Sequence, residues 1–467
     1  MKYISTRGAA PALSFEETML TGLARDGGLY VPESWPRMSR DEIAALAGLE
    51  YEEVAHRVMR PFVGDAFAED ELRAIIADAY ASFDHPARCP LVQIGANEWI
   101  QELHHGPTLA FKDVAMQLIG RLFQASLARR GERVTIIGAT SGDTGSAAIE
   151  AFRGLDAAEV FILFPKGRVS EVQRRQMTTP ADANVHALAV EGDFDDCQAL
   201  VKAAFNDHAF RDRARLAAVN SINWARVLAQ TVYYFTAATA LGAPWRAVSF
   251  SVPTGNFGDI FAGYVARRMG LPIGRLVIAT NRNDILHRTV QSGEHRRQGV
   301  APTISPSMDI QVSSNFERLL FDLLDRDGPA VARLMDELRG QGGFSLPQGA
   351  LERLRAEFDS ARCDEDQTLA TIADIHAATG LVIDPHTAVG VHAARAARGD
   401  RAAPMVVLGT AHAAKFPDAV ERACGVRPAL PARMADLFER PERVRDLPND
   451  LDALRRAVLS ALEGDGA

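Results

Sequence analysis

The chain has 467 residues, 47% of them hydrophobic and 24% charged, which is enough for about three domain-sized units with a large core. A formal net charge of −9 argues against a nucleic-acid or anionic-membrane partner. The four cysteines form no CxxC pair, so we expect no disulfide or zinc framework, and the sequence shows neither a signal peptide nor a membrane span. These features together predict a cytoplasmic protein.

The pattern of apolar residues changes along the chain. Roughly the first ninety residues predict amphipathic helices, as in RDEIAALAGLEYEEVAHRVM. From Arg133, short apolar runs such as VTIIG, VFILF, AVSFSV and MVVLG alternate with helical segments. This alternation is typical of parallel βαβ units, and in open parallel sheets ligands bind where strands lead into helices.

One lysine precedes a predicted helix. Lys112 lies in HGPTLAFKD, directly before VAMQLIGRLF, whose apolar residues recur at helical spacing. A solvated surface lysine is the ordinary interpretation, but only five of the 51 basic residues are lysines. The dipole at a helix start favours a neutral amine, and such an amine can act as a nucleophile where arginine cannot. The sequence therefore favours a chemical role for Lys112.

The loop GATSGDTGSAA follows a predicted strand and precedes a predicted helix. Its Thr140, Ser141, Asp143 and Thr144 stand beside glycines. Backbone N–H groups and hydroxyls at a helix start can bind a carboxylate or a phosphate. The same residues would also explain a simple N-capping loop, and the sequence leaves both interpretations open.

Two further strand ends are candidates for ligand binding. In PTGNFGDI, the residues Gly255, Asn256, Phe257 and Gly258 suit a phosphate, although they match neither the dinucleotide nor the P-loop motif. In VVLGTAHAAKF, Thr410 could hydrogen-bond a buried heteroatom or cap a helix. No metal-binding spacing or GxSxG motif stands out, so we expect no metal. An activated lysine with phosphate-binding loops points to pyridoxal 5′-phosphate (PLP) as cofactor.

Six segments in chain order resemble the threonine synthase family, of the longer microbial and fungal type. They are HGPTLAFKD, GATSGDTGSAA, SINWARVLAQ, PTGNFGDI, SMDIQVSSNFERLLF and VVLGTAHAAKF. The opening MKYISTRG and LARDGGLYVPE resemble that family's N-terminal domain, so the resemblance covers nearly the whole chain. Single motifs are shared with other enzymes of the tryptophan-synthase β-like fold, whereas the whole set is specific.

The resemblance implies an α/β fold of the fold type II PLP kind. It has two parallel-sheet domains and a mostly helical N-terminal domain at residues 1–95. The larger, PLP-binding domain would comprise 96–130 and 230–467, and the smaller domain, 131–229, would close over substrate. The implied reaction converts O-phospho-L-homoserine and water to L-threonine and phosphate by γ-elimination and β-addition of water, the last step of threonine biosynthesis. The oligomeric state is not predicted.

The resemblance also implies roles for the candidate residues that bind the cofactor. Lys112 would form the Schiff base with PLP and transfer protons. The segment 255–258 would bind the cofactor phosphate through backbone N–H groups, and Thr410 would face the pyridine nitrogen. Asp143 would lie beside the cofactor, where many relatives on this fold carry asparagine, so its protonation is an open question.

A second group would bind the substrate. Thr140, Ser141 and Thr144 would hold its carboxylate. Its phosphate would be bound by Asn220, Ser221 and Arg226 of NSINWAR, a set of groups that recognises a phosphate dianion well. Without the resemblance, NSINWAR would be interpreted as an ordinary helix start.

Two alternatives differ in substrate or in class. A PLP-dependent serine/threonine dehydratase or β-replacing synthase would keep the cofactor, but its substrates need not carry a phosphate. A non-catalytic PLP-fold binding protein would have little use for a buried amine. Activity toward serine alone would favour the first alternative, and failure to bind PLP through a lysine would favour the second.

Overall fold

The computed structural model describes residues 1–140, 142–217 and 219–464, and the chain divides into two compact units. The larger unit comprises Met1–Ala115 and Ser221–Pro428. The smaller unit comprises Met116–Asn220 and the described residues from Ala429 onward. No helix in these ranges combines the length and the apolar character needed to cross a lipid bilayer.

The N-terminal segment is mostly helical, as its amphipathic sequence predicts. Capping boxes begin its first two helices: Ser14 and Ser39 accept from the N–H groups of Glu17 and Glu42, whose carboxylates accept in return. The elements are β1 (Tyr3–Ser5), α1 (Phe15–Thr21), β2 (Tyr30–Pro32), α2 (Arg40–Ala44), α3 (Tyr51–Val63) and α4 (Glu69–Tyr80).

A hairpin, a long helix and the alternating strands and helices of the smaller unit follow. The hairpin and helix are β3 (Leu91–Gly95), β4 (Glu98–Glu102) and α5 (Lys112–Arg130). The next elements are β5 (Val134–Ala139), α6 (Asp143–Phe152), β6 (Ala158–Pro165), α7 (Glu171–Thr178), β7 (Val185–Val190), α8 (Phe194–Asn206), α9 (His208–Ala214) and β8 (Leu216–Ala217).

The chain then returns to the larger unit and ends in the smaller one. The elements of the larger unit are α10 (Trp224–Ala240), β9 (Val248–Pro253), α11 (Gly258–Arg268), β10 (Ile273–Thr280), α12 (Ile285–Ser292), β11 (Glu294–Arg296), α13 (Phe316–Leu323), α14 (Gly328–Gln341), β12 (Gly343–Ser345), α15 (Gln348–Glu357), β13 (Phe358–Arg362), α16 (Glu365–Thr379), α17 (Pro385–Ala396), β14 (Met405–Gly409) and α18 (Pro417–Cys424). The final elements are β15 (Arg445–Leu447) and α19 (Leu451–Glu463).

The larger unit contains a six-stranded sheet in the order β13-β10-β9-β14-β4-β3. All neighbouring pairs are parallel except β3 with β4. Strands β9 and β14 are buried along their whole length, which explains their continuous apolar sequences. Because β14 lies between β9 and β4, the carboxyl ends of these three strands meet at one edge. This is the edge where parallel sheets bind ligands.

The smaller unit contains a five-stranded parallel sheet in the order β15-β7-β6-β5-β8. Its core joins strand residues such as Phe161 and Leu188 to Leu447 of β15 and to Leu454 and Val458 of α19. The C-terminal segment therefore completes this sheet and its core.

This division differs from the one expected from the sequence. Residues 1–95 belong to the larger unit, and the described C-terminal residues from 429 belong to the smaller unit because β15 pairs with β7. The unit boundaries fall after Ala115 and Asn220, which is 15 and 9 residues before the expected positions 130 and 229. Closure of the smaller domain over substrate stays a prediction.

Candidate active site

Lys112 begins α5 and is only 9% exposed. Its Nζ lies 5.3 Å from the centroid of the Phe111 ring. The segment before it is attached to the end of β14: Leu103 N–H donates to Gly409 O, and Phe111 N–H donates to Thr410 O, both at 2.9 Å. The lysine therefore lies at the carboxyl edge of the sheet, buried and with its amine beside the Phe111 ring.

A buried carboxylate fixes the first turn of α5. Asp113 accepts from Thr108 N at 2.8 Å and from Thr108 Oγ1 at 2.6 Å, and Lys415 Nζ donates to Thr108 O at 2.8 Å. Burial raises the pKa of Asp113 to about 6, although the hydrogen bonds from Thr108 lower it. A Cβ on Gly106 would lie 2.4 Å from the Asp113 Cβ, so only glycine fits there. These residues were not predicted from the sequence, although the scarcity of lysine could have indicated Lys415.

Thr410 directly follows β14 and is 5% exposed. Besides the contact with Phe111, an antiparallel bridge between Ala110 and Ala411 joins the two segments. Thr410 and Lys112 thus lie on adjacent stretches of backbone in one unit. This placement suits the predicted pair of a lysine and a hydroxyl on one cofactor.

The segment 254–258 leads from β9 into α11, with Phe257 in the left-handed region at φ 63°. A Cβ on Gly255 would lie 2.9 Å from the Ser307 carbonyl oxygen, and one on Gly258 would lie 3.3 Å from Asn315 Nδ2. Among the described residues, no acceptor takes a hydrogen bond from the N–H groups of 255–258. These N–H groups and the positive end of the helix dipole form a cradle for an anion.

Two residues from a distant segment orient this cradle. Ser313 Oγ donates to Gly255 O at 2.6 Å, and Asn315 donates to Asn256 O from both its backbone N and its Nδ2, each at 3.1 Å. In a trans peptide the carbonyl and the next N–H point in opposite directions. Holding these two carbonyls therefore turns the N–H groups of Asn256 and Phe257 toward the opposite side. Both residues lie in the segment SMDIQVSSNFERLLF, to which the sequence assigned no individual role.

Arg226 lies in the first turn of α10 and is 4% exposed. Its Nη1 is buried without a hydrogen-bond partner, and its guanidinium forms no salt bridge with any described carboxylate. Burial lowers the pKa of Arg226 to about 10. Ser221 shares this unit and is partly buried, whereas Asn220 is exposed and ends a segment of the smaller unit. A buried cation without a counter-ion is a candidate anion site.

The loop 140–144 belongs to the smaller unit, and its Ser141 lies outside the described residues. Thr140 is buried, and its Oγ1 accepts from the N–H groups of Gly142 and Gly145, each at 2.9 Å. The Thr140 hydroxyl thus holds the loop that leads into α6, whose N-cap residue, Gly142, makes no side-chain capping hydrogen bond. Asp143 is also buried, and its Oδ1 accepts from Gln173 Nε2 at 2.8 Å.

Thr144 is partly buried in the first turn of α6. The predicted residues thus fall into two sets. Lys112, Thr410, Arg226 and the segment 255–258 belong to the larger unit, and Thr140, Asp143 and Thr144 belong to the smaller one.

Known proteins of one family are similar to this chain over most of its length. Three family models match most of the chain: "Threonine synthase N terminus" over residues 2–80, "Pyridoxal-phosphate dependent enzyme" over 85–337 and "Threonine synthase, C-terminal" over 387–458. A threonine synthase of Pseudomonas aeruginosa is 58% identical over 459 residues, covering 98% of each chain. The chain belongs to the threonine synthase family.

Solved structures of the family agree closely with this fold. PLP-bound threonine synthase from Brucella melitensis matches with a TM-score of 0.97 at 57% identity, over 99% of each chain. Threonine synthase from yeast matches with a TM-score of 0.94 at 40% identity, also over 99% of each chain. These findings confirm the predicted family, the prediction that the protein is a PLP-dependent enzyme, the α/β fold of such enzymes and the cofactor. They do not favour the dehydratase, β-replacing synthase or binding-protein alternatives.

The residues of the larger unit fit PLP chemically. A buried lysine, a hydroxyl on the adjacent strand end and a cradle of N–H groups match an aldehyde, a ring nitrogen and a phosphate. At Gly255 there is no room for a larger side chain. Glycine is typical of loops whose backbone closely approaches a phosphate.

Proposed function

We propose that the protein converts O-phospho-L-homoserine and water to L-threonine and phosphate, in the cytoplasm, as the last step of threonine biosynthesis. The buried, unpaired guanidinium of Arg226 carries this proposal. Leaving a buried cation without a counter-ion costs free energy, so the position suits an anion that arrives with a ligand. The segment 255–258 already suits the cofactor phosphate, so Arg226 is available for a second phosphate on the substrate. Serine and threonine, the substrates of the alternative enzymes, carry no phosphate group.

In this proposal, residues of the larger unit hold the cofactor. When bound, PLP supplies an electron sink that stabilises negative charge on the substrate carbon next to the amino group. Lys112 binds the cofactor aldehyde, and its Nζ then moves protons at the α, β and γ carbons of the substrate. The N–H groups of 255–258 bind the cofactor phosphate. Thr410 faces the ring nitrogen with a neutral hydroxyl, which favours protonation of that nitrogen less than a carboxylate would.

The remaining predicted residues are assigned to the substrate and the ring. Asn220 and Ser221 join Arg226 at the substrate phosphate, supplying neutral hydrogen bonds beside a bidentate cation. The loop 140–144, with Thr140, Ser141 and Thr144, binds the substrate carboxylate. Within this loop, the Thr140 hydroxyl accepts from the N–H groups of Gly142 and Gly145, so its contribution to carboxylate binding is to hold the loop in shape. Asp143 lies beside the cofactor, with its carboxyl oriented by Gln173.

A comparison of substrates with the variant Arg226→Met tests this proposal. The wild-type protein is expected to form threonine from O-phospho-L-homoserine and to deaminate serine or threonine poorly. Loss of a charged, bidentate contact should raise the KM for phosphohomoserine about 100-fold or more, with PLP still bound. Rapid deamination of serine or threonine, without threonine formation from phosphohomoserine, would refute the proposed substrate.

A further inference from the structure

Asn315 connects the two segments to which the proposed function assigns the two phosphates. It is fully buried, and its Nδ2 donates to Ser221 O at 2.9 Å and to Asn256 O at 3.1 Å. Asn256 belongs to the cradle for the cofactor phosphate, and Ser221 belongs to the substrate-phosphate segment. One amide group therefore holds a backbone carbonyl in each of them.

The side chain of Asn315 does not cap the helix that follows it, α13. Asn315 is the N-cap residue of α13, a position that asparagine favours because its side chain can accept from the helix N–H groups. Here the side chain makes no capping hydrogen bond. Its polar atoms instead form hydrogen bonds with the two phosphate segments and with one arginine.

Arg318 fixes the orientation of this amide. Its Nη1 donates to Asn315 Oδ1, its Nε donates to Tyr30 O at 3.0 Å, and its Nη2 donates to Ile222 O. Because arginine only donates, the amide oxygen faces Arg318 and the NH₂ group faces the two carbonyls. Arg318 is fully buried, and no described carboxylate forms a salt bridge with it. Its guanidinium carbon lies 5.8 Å from the centroid of the Trp224 ring.

We propose that Asn315 is a positioning residue that couples the cofactor-phosphate site to the substrate-phosphate site. By holding Asn256 O and Ser221 O together, it presents both segments in the geometry that their phosphates need. Loss of the side-chain NH₂ group removes its hydrogen bond to Ser221 O and leaves Asn256 O with only the hydrogen bond from the Asn315 backbone N–H, so both sites loosen at once. This inference rests on the proposed function for the identity of the second phosphate.

The variant Asn315→Asp separates this role from simple structural support. Aspartate keeps an acceptor for Arg318, but it places an anionic oxygen where NH₂ faced two carbonyls. At saturating PLP, the KM for O-phospho-L-homoserine is expected to rise about tenfold, and the dissociation constant of PLP is expected to rise by a similar factor. The turnover number should change less, because Asn315 touches no reacting atom.

Two further variants are controls for the effects of Asn315→Asp on the two affinities. Ser313→Ala removes a hydrogen bond to Gly255 O only, so it should weaken PLP binding and leave the KM unchanged. Asn184 in the smaller unit donates from its Nδ2 to Phe152 O at 2.9 Å and to Ala158 O at 2.8 Å. Asn184→Asp is thus the same change at an asparagine with only structural contacts. It should lower the melting temperature without changing either affinity.

An effect of Asn315→Asp on one ligand only, or on neither, would overturn the coupling. Asn315→Ala, which removes the donors without adding charge, should give the same double effect if the aspartate variant does not fold. If the wild-type protein binds PLP but forms no threonine, the proposed function fails. The coupling is then decided by calorimetric titration of the PLP-bound protein with inorganic phosphate. About tenfold weaker binding in the variant supports the coupling, and equal binding refutes it.

Discussion

The backbone N–H of Phe111 donates to the carbonyl oxygen of Thr410 at 2.9 Å. This hydrogen bond places the residue before Lys112 against the residue that ends β14. It fixes the relative positions of Lys112, the proposed cofactor lysine, and Thr410, the proposed partner of the ring nitrogen, by backbone contact alone. Side chains at both positions can therefore change without moving the frame that holds them.

The first prediction follows from this frame. Replacing Lys112 with alanine should abolish turnover and the visible absorption of lysine-bound PLP, with little loss of stability. The reason is that the first turn of α5 is held by Thr108 and Asp113, which stay in place. Absorption spectra, initial rates and melting curves measure the three quantities. Lys202→Ala, at an exposed position on α8, should leave all of them unchanged. Lysine-bound absorption in the Lys112 variant would contradict the assignment.

The second prediction concerns the cradle at the start of α11. In Gly255→Ala the new Cβ would lie 2.9 Å from the Ser307 carbonyl oxygen, so the loop must shift. We expect PLP binding weaker by about tenfold or more, measured by fluorescence titration of the PLP-free protein. Gly349→Ala on α15 is the matched control because, outside its own helix turn, no atom of the described residues lies within 4 Å of its added Cβ. It should stabilise the protein by up to about 1 kcal/mol and leave PLP binding unchanged.

Two buried arginines should respond oppositely to the same substitution. Arg226 makes no side-chain hydrogen bond within the described chain, so Arg226→Met should leave the ligand-free stability unchanged or raise it. Arg318 donates to two backbone carbonyls and to Asn315, so Arg318→Met should cost about 3 kcal/mol of unfolding free energy. Denaturant unfolding without ligands measures both values. Equal destabilisation would show that Arg226 has a structural role instead.

A buried carboxyl group predicts a dependence of stability on pH. Asp259, in the first turn of α11, accepts from the hydroxyls of Tyr233 and Tyr234, and its Oδ2 is buried without a hydrogen-bond partner in the described structure. Burial raises the pKa of Asp259 from 3.8 to about 7. Between these values the folded protein binds the extra proton, so the contribution of Asp259 to stability falls as the pH rises through this range.

Asp259→Asn should therefore gain stability relative to the wild type as the pH increases from 4 to 8, because asparagine cannot ionise. The unfolding free energy of both proteins, measured in denaturant at several pH values, tests this. Asp374→Asn, at an exposed position on α16, controls for the loss of one negative charge. A constant difference between the Asp259 variant and the wild type would show that the carboxyl group is not perturbed.

The common location of several predicted site residues follows from strand order. Lys112, Thr410 and the segment 255–258 each follow a strand of one parallel sheet, and those strands are neighbours. Carboxyl ends of neighbouring parallel strands meet at one edge, so local patterns were enough to bring these residues together.

The residues that orient the site were not predictable in the same way. Asn315 and Ser221 are 94 positions apart, and neither position carries a local pattern that indicates the other. The role of Arg318 likewise depends on tertiary contacts with β2 and the segment before α10. The place of the C-terminal segment depends on β15 pairing with β7, and a strand of three residues gives no periodic signal.

The measurement that tests the central claim most directly is turnover of O-phospho-L-homoserine in water enriched with ¹⁸O. If the Cγ–O bond breaks and water adds at the β carbon, threonine and phosphate form one to one. The label then appears in the threonine hydroxyl and not in the phosphate. Label in phosphate together with homoserine would mean simple phosphate hydrolysis, and it would contradict the account.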